Sequence, residues 1–204
     1  MDALSPPGRI VVLNGAPRAG KSSIAAVIQE SFDGPWMKLG VDIARVMTPA
    51  RYQPGVGLRP GEPAHPIAPL LPAFYAALYE SIAAHSRAGL NVVADVGHHD
   101  AEILADCARR LAGLPALLVG VRCPIEVIMA RRTDSPPGRY STGSVDEPVP
   151  EAVRRWQHDV HLPGVYDLEV DTSQLSPEQC ADVIRRRLED DAPPTAFRQL
   201  AEGG

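Results

Sequence analysis

Residues 9–14 read R-I-V-V-L-N, and G-A-P-R-A-G-K-S follows at once over Gly15–Ser22 before an apolar-periodic stretch runs from Lys21 to about Phe32. A short β-branched run, a glycine-bounded loop and an amphipathic helix in that order admit few folds. The loop must leave a buried strand and enter a helix whose first turn carries unsatisfied N–H groups. The octapeptide fits G-x-x-x-x-G-K-[ST] at every fixed position, in the strand-to-helix setting that its mechanism needs. Its glycines let backbone N–H groups turn inward toward phosphate oxygens, and the helix start adds the positive end of its dipole. Lys21 is then expected to reach the β and γ phosphates, and Ser22 to hold Mg²⁺. The implied nucleotide-binding residues are Gly15, Ala16, Pro17, Arg18, Ala19, Gly20, Lys21, Ser22 and Ser23, with ATP or GTP and Mg²⁺ as cofactors.

Charge narrows the function further. Twenty basic against 25 acidic residues give a net charge of -5, which argues against a sequence-independent grip on nucleic acid. Lysine is scarce: Lys21 and Lys38 are the only two, so that the motif lysine stands out. No stretch approaches the ~18 apolar residues of a membrane span and the N-terminus shows no export signal, so a cytoplasmic location without membrane attachment is expected. Cys107, Cys123 and Cys180 are widely spaced and read as reduced core thiols.

Along the chain, short apolar runs alternate with helical patterns. Further strands are predicted at Trp36–Leu39, Asn91–Asp95, Ala116–Val121 and Val165–Val170, and helices from Asp42, over Leu70–Arg87, Ala101–Leu111, Pro124–Arg132, Glu151–His158 and Pro177–Leu188. Strands apolar on both faces and alternating with helices indicate an α/β fold with a parallel sheet covered on both sides. One domain is expected over residues 1–190, with a proline-rich acceptor-side loop at about 48–72 and a lid at about 131–147. Residues 191–204 read as a flexible tail.

Other polar residues suit a small-molecule kinase, and no Asn-Lys-x-Asp segment of a GTPase occurs. Asp42, just after the second strand, is placed either as the general base for an acceptor hydroxyl or as a helix N-cap. Asp95, at the end of V-V-A-D, suits a carboxylate that orients Mg²⁺, an acceptor-side group or a turn cap. Arg131, Arg132 and Arg139 flank a Pro-Pro-Gly hinge and offer guanidinium groups to a transferring phosphoryl. His98 and His99 read as acceptor-pocket or surface residues, since adjacent histidines diverge and lack a third metal ligand. Arg185, Arg186 and Arg187 read as a solvated helix face.

Together the loop G-A-P-R-A-G-K-S, P-W-M-K-L-G-V-D at Pro35–Asp42, V-V-A-D-V at Val92–Val96, V-G-V-R-C at Val119–Cys123 and V-Y-D-L-E-V-D-T-S at Val165–Ser173 carry a resemblance. Over about residues 9–190 the chain resembles the chloramphenicol phosphotransferase-like family. The resemblance implies a P-loop kinase three-layer sandwich with five parallel strands in the order 2-3-1-4-5 and a lid. It also implies ATP with Mg²⁺ and an alcohol on a small antibiotic-like acceptor. It puts the catalytic aspartate on Asp42, lid arginines at Arg131 and Arg139, and Asp171, Thr172 and Ser173 near adenine. Pro17 and Arg18 depart from the small hydroxyl residues of the chloramphenicol enzyme.

The expected function is therefore ATP-dependent O-phosphorylation of an antibiotic or related natural product, with Asp42, Lys21, Arg139 and Arg131 catalytic and Ser22 and Asp95 at the metal. A metabolic kinase for a nucleoside or sugar is the alternative, and a nucleotide-binding regulatory protein without transfer is the alternative of another class. A homo-oligomer is compatible with the sequence. The loop reading predicts that Lys21→Ala abolishes nucleotide binding, measured by titration, while leaving thermal unfolding cooperative; unchanged binding contradicts it.

Overall fold

Ile10–Asn14 forms strand β1, and all five of its residues are buried, as expected for the central strand of a sheet covered on both faces. The structure, a computed structural model, describes residues 6–53 and 68–203. Four further strands join it: β2 (Trp36–Gly40), β3 (Asn91–Val96), β4 (Ala116–Arg122) and β5 (Leu168–Asp171). All pairings are parallel and the order is β2-β3-β1-β4-β5, the order that the resemblance implied.

Side-chain alternation along β1 divides the core. Val11 and Leu13 face one layer with Ile24, Ile28, Val119 and Ile184, whereas Ile10 and Val12 face the other with Tyr79, Ile82, Leu111 and Phe197. Helices α1 (Lys21–Ser31), α5 (Ile125–Thr133), α6 (Glu151–Asp159) and α7 (Pro177–Glu189) supply the first layer. Helices α3 (Leu71–Arg87), α4 (Ala101–Leu111) and α8 (Ala196–Glu202) supply the second. The short helix α2 (Val41–Met47) follows β2 directly. The cysteines are free and buried, as expected of core thiols.

Most element ends fall within a residue of expectation, but several boundaries differ by more. The fifth strand starts at Leu168 rather than Val165, because the Asp167 carboxylate just before it accepts the Leu118 N–H at 2.9 Å, outside the strand ladder. The other oxygen of Asp167 accepts the Thr195 and Ala196 N–H groups at 2.6 and 3.0 Å, capping the start of α8. The expected flexible tail therefore contains a docked helix, with Ala196 and Phe197 buried among the α4 and β4 side chains. At the expected acceptor-side loop, Ala50–Tyr52 and Ala68–Leu70 are single 3₁₀ turns and Leu71 already opens α3; residues 54–67 of it lie outside the described residues. The expected lid begins on the last turn of α5, and neither helix nor strand occurs between Thr133 and Glu151.

A buried polar network ties the end of β1 to two distant segments. Asn14 accepts the His98 N–H at 2.8 Å and the His98 ring at 3.1 Å, and its own amide donates to the Val160 carbonyl at 2.7 Å and to the Tyr166 hydroxyl at 2.9 Å. His161 Nδ1 is hydrogen-bonded to the same hydroxyl at 2.8 Å. Burial, aided by His99 and Lys21, pulls the His98 pKa down to about 3. Burial, with Arg122 beside it, pulls His161 down to about 4.

Two outcomes follow from this packing. Phe197→Ala is expected to destabilise the fold by about 3 kcal/mol in urea unfolding, the usual cost of emptying a buried aromatic site, and a wild-type midpoint contradicts the docked helix. Both buried imidazoles resist protonation, while an unfolded histidine takes up a proton near its ordinary pKa of 6.5. Their contribution to stability is therefore full above that value and lost as the pH falls through it, toward about 4 for His161 and about 3 for His98. His161→Gln is expected to flatten this decline, as read from urea midpoints across that window; an unchanged slope contradicts the assignment.

Candidate active site

The loop between β1 and α1 is closed by its own backbone, with the Ala19 N–H donating to the Ala16 carbonyl at 3.0 Å. Gly20 stands at φ +100°, left-handed backbone that a side chain would strain, and Arg18 holds φ +73° although it is not glycine. Lys21 is nearly buried. Its ammonium donates to the Gly15 and Ala16 carbonyls at 2.9 and 3.1 Å and lies 3.5 Å from an Asp95 oxygen. The other Asp95 oxygen accepts the Ser22 hydroxyl. The second lysine, Lys38, reaches the Ser22 carbonyl at 3.5 Å.

Parallel pairing explains how Asp95 arrives there. It stands opposite Leu13 on β1 and opposite Gly40 on β2. Gly40 is required by close approach, because a Cβ there would lie 2.5 Å from the Asp95 carbonyl oxygen. The chain turns from Gly40 directly into α2 and puts Asp42 in its first turn. Gly40 takes the N-cap position and no side chain caps this helix, so the capping alternative for Asp42 falls away.

These residues line one cavity of about 550 Å³, within the range of small-molecule sites. Gly15, Pro17, Arg18, Gly20, Lys21, Ser22 and Ser23 form its floor, and Asp42, Asp95, Arg131, Arg139 and Thr172 border it. Ala16 and Ala19, by contrast, are buried in the core beneath the loop. The sequence did not single out Tyr75, Gly97, Tyr140, Trp156, Leu175 and Pro177, which also line it. Burial, with Asp100 nearby, raises the Tyr75 phenol to about 12, so it stays protonated and able to donate.

The arginines play different structural parts. Arg131 bridges the loop and the end of β5, donating to the Arg18 carbonyl at 3.3 Å and to the Thr172 hydroxyl and carbonyl at 3.1 and 2.8 Å. Thr172 in turn donates to the Ala19 carbonyl at 2.7 Å. Arg132 is buried, donates from Nε to the Ser141 carbonyl at 2.8 Å and does not line the cavity. Arg139 does line it, beside the Tyr140 ring. Asp171 turns away to accept the Ser173 N–H and hydroxyl, which leaves Thr172 as the residue of this trio at the cavity. His98 is buried in the Asn14 network, and His99 stacks on Trp156 at 4.0 Å between centroids. No group of three possible metal-holding His, Cys, Asp or Glu occurs among the described residues. Arg185 pairs with Asp182 but also lies over Phe32 and donates to the Ser31 carbonyl and hydroxyl, so it ties α7 to α1 instead of only facing solvent.

Comparison with known proteins bears on the family and the fold. A Mycobacterium tuberculosis (strain H37Rv) protein named "Putative O-phosphotransferase Rv2636" is 27% identical, over 96% of this chain and 88% of its own. Among solved structures, the APS kinase CysC of Mycobacterium tuberculosis, in complex with AMPPNP and APS, superposes with a TM-score of 0.63 at 17% identity, over 91% of this chain and 99% of that one. The tunicamycin resistance protein of Deinococcus radiodurans does so at 0.58 and 20% identity, over 92% and 99%. Both share the fold. The family model described as chloramphenicol phosphotransferase-like protein matches residues 8–189, nearly the whole chain, which thus belongs to the chloramphenicol phosphotransferase-like family of P-loop phosphotransferases.

Proposed function

We propose that this protein transfers the terminal phosphoryl group of ATP to a hydroxyl of a small antibiotic or related natural product. The observation that carries the reading is the single cavity in which the Lys21 loop, the Ser22–Asp95 pair and Asp42 converge. The coarser statement, a phosphotransferase with a hydroxyl acceptor, accords with the family and with the name of the mycobacterial relative. The family's own description directs the acceptor search to hydroxyl-bearing antibiotics.

The floor of the cavity suits a polyphosphate. The start of α1 and the Lys21 ammonium provide positive potential where negative charge develops. Arg139 adds a guanidinium from the lid side, and Thr172, Leu175 and Pro177 border the end assigned to adenine. The Ser22 hydroxyl and Asp95 carboxylate, hard oxygen donors already in contact, fit Mg²⁺ at this position. When bound, the ion would neutralise charge on the phosphate oxygens.

The acceptor is assigned to the opposite end, between Val41, Asp42, Tyr75, Gly97 and Trp156. An acceptor hydroxyl there gives its proton to Asp42 as its oxygen bonds to the terminal phosphorus, and ADP leaves. The Val41, Tyr75 and Trp156 side chains give the acceptor an apolar and aromatic wall to pack against. No helix among the described residues is long and apolar enough to cross a membrane.

Asp42→Asn keeps the shape of the side chain and removes its basicity. The variant is expected to bind ATP as the wild type does and to transfer phosphoryl at least about a hundredfold more slowly, the scale of a lost general base. Binding is read by calorimetry and transfer with γ-labelled ATP. An undiminished turnover number contradicts the role of Asp42.

A further inference from the structure

One ring on the lid gathers three cations. The guanidinium carbons of Arg18, Arg132 and Arg139 lie 5.2, 5.2 and 5.7 Å from the centre of Tyr140. Arg18 comes from the phosphate-binding loop, Arg132 from the end of α5, and Arg139 from the lid itself. Like charges repel at this separation, and the negative face of the ring offsets part of that repulsion. Neither Arg18 nor Arg139 makes an ion pair with a carboxylate among the described residues. Both line the cavity that holds Lys21, and so does Tyr140.

Arg18 is the unusual member. It occupies left-handed backbone at φ +73°, which glycine adopts at less cost. Its NH2 donates to the Arg131 carbonyl at 2.6 Å, while its Nε is buried and has no hydrogen-bond partner among the described residues. A donor so placed, in a group without a counter-charge, is complemented by an anion oxygen. The loop backbone serves the inner phosphates, so a side chain standing on the lid side of the loop is placed for the outer one.

Resting on the nucleotide reading above, we propose that Arg18 binds the terminal phosphate of ATP together with Arg139. Tyr140 is the positioning residue whose ring holds the two guanidinium groups on the same side of the cavity. Recognition of the outer phosphate is then divided between the loop and the lid, with the ring as their common support. An arriving polyanion supplies the counter-charge that Arg18 and Arg139 lack among the described residues.

The test compares ATP and ADP affinity by calorimetry in Arg18→Gly, Tyr140→Ala, Tyr140→Phe and the double variant Arg18→Gly/Tyr140→Ala. Glycine suits the backbone at position 18, so any loss there reports the side chain. The expected result is that Arg18→Gly and Tyr140→Ala each lower the preference for ATP over ADP by about tenfold, that Tyr140→Phe retains it, and that the double variant loses little more than either single one. An intact preference in Arg18→Gly or Tyr140→Ala overturns the proposal. So does a parallel loss of ADP affinity, which would mark general damage to the loop, or an equal loss in Tyr140→Phe. The readout needs no acceptor: failure to phosphorylate an antibiotic would contradict the transfer reading without touching this one, whereas a wild type that binds neither nucleotide would overturn both.

Discussion

Burying an ammonium group is the constraint on which the arrangement depends. Lys21 is only 8% exposed, and a charge so far from water is tolerated only with close partners. Two partners are carbonyls of its own loop, so the loop must keep its curled shape. The third, Asp95, lies 74 residues further on and is brought alongside by the β1–β3 pairing. The charge thereby couples the local geometry of the loop to the topology of the sheet. Asp95 also engages Ser22, which joins the lysine, the hydroxyl and the carboxylate in one cluster at the floor of the cavity.

The rest of the site is laid out from that cluster. Gly40 packs against the Asp95 backbone too closely for any Cβ, and the chain leaves it straight into α2, so that Asp42 follows from the register of β2. On the other side, Arg131 and Thr172 tie the loop to the end of β5. Beneath it, the Asn14 network holds the segments that carry His98 and Val160, and with them Gly97 and Trp156 at the cavity wall. Strand ends set the side of the cavity that carries Lys21, while segments outside the regular elements contribute Arg139 and Tyr140.

How much of this was legible in the sequence depended on distance along the chain. Lys21 and Ser22 belong to one contiguous motif, and Asp95 stands one residue before the end of a strand whose apolar run is plain, so this side of the cavity could be read directly. Asp42 had two readings, and the backbone at Gly40 removes one of them. Tyr75 and Trp156 come from α3 and α6 and Tyr140 from the segment between α5 and α6, so that their meeting at one cavity depends on tertiary packing, and nothing local distinguishes them from other aromatic residues. Arg131 and Arg139 looked alike as lid arginines, yet hydrogen bonds engage Arg131 with the loop and Thr172 while Arg139 stands beside Tyr140 at the cavity. The last helix was missed because it is short and follows Pro193-Pro194; its order comes from the distant carboxylate of Asp167 and the burial of Phe197.

The central claim is phosphoryl transfer to an antibiotic-like hydroxyl, and its most direct test is mass spectrometry of acceptors. The purified protein would be incubated with ATP and Mg²⁺ and a panel of hydroxyl-bearing antibiotics, chloramphenicol among them, beside nucleosides and sugars. The account predicts that an antibiotic of the panel gains one phosphoryl mass, about 80 Da, and only when ATP is present. A gain confined to a nucleoside or sugar would contradict the acceptor class, and no gain on any compound, with ATP tightly bound, would contradict transfer itself.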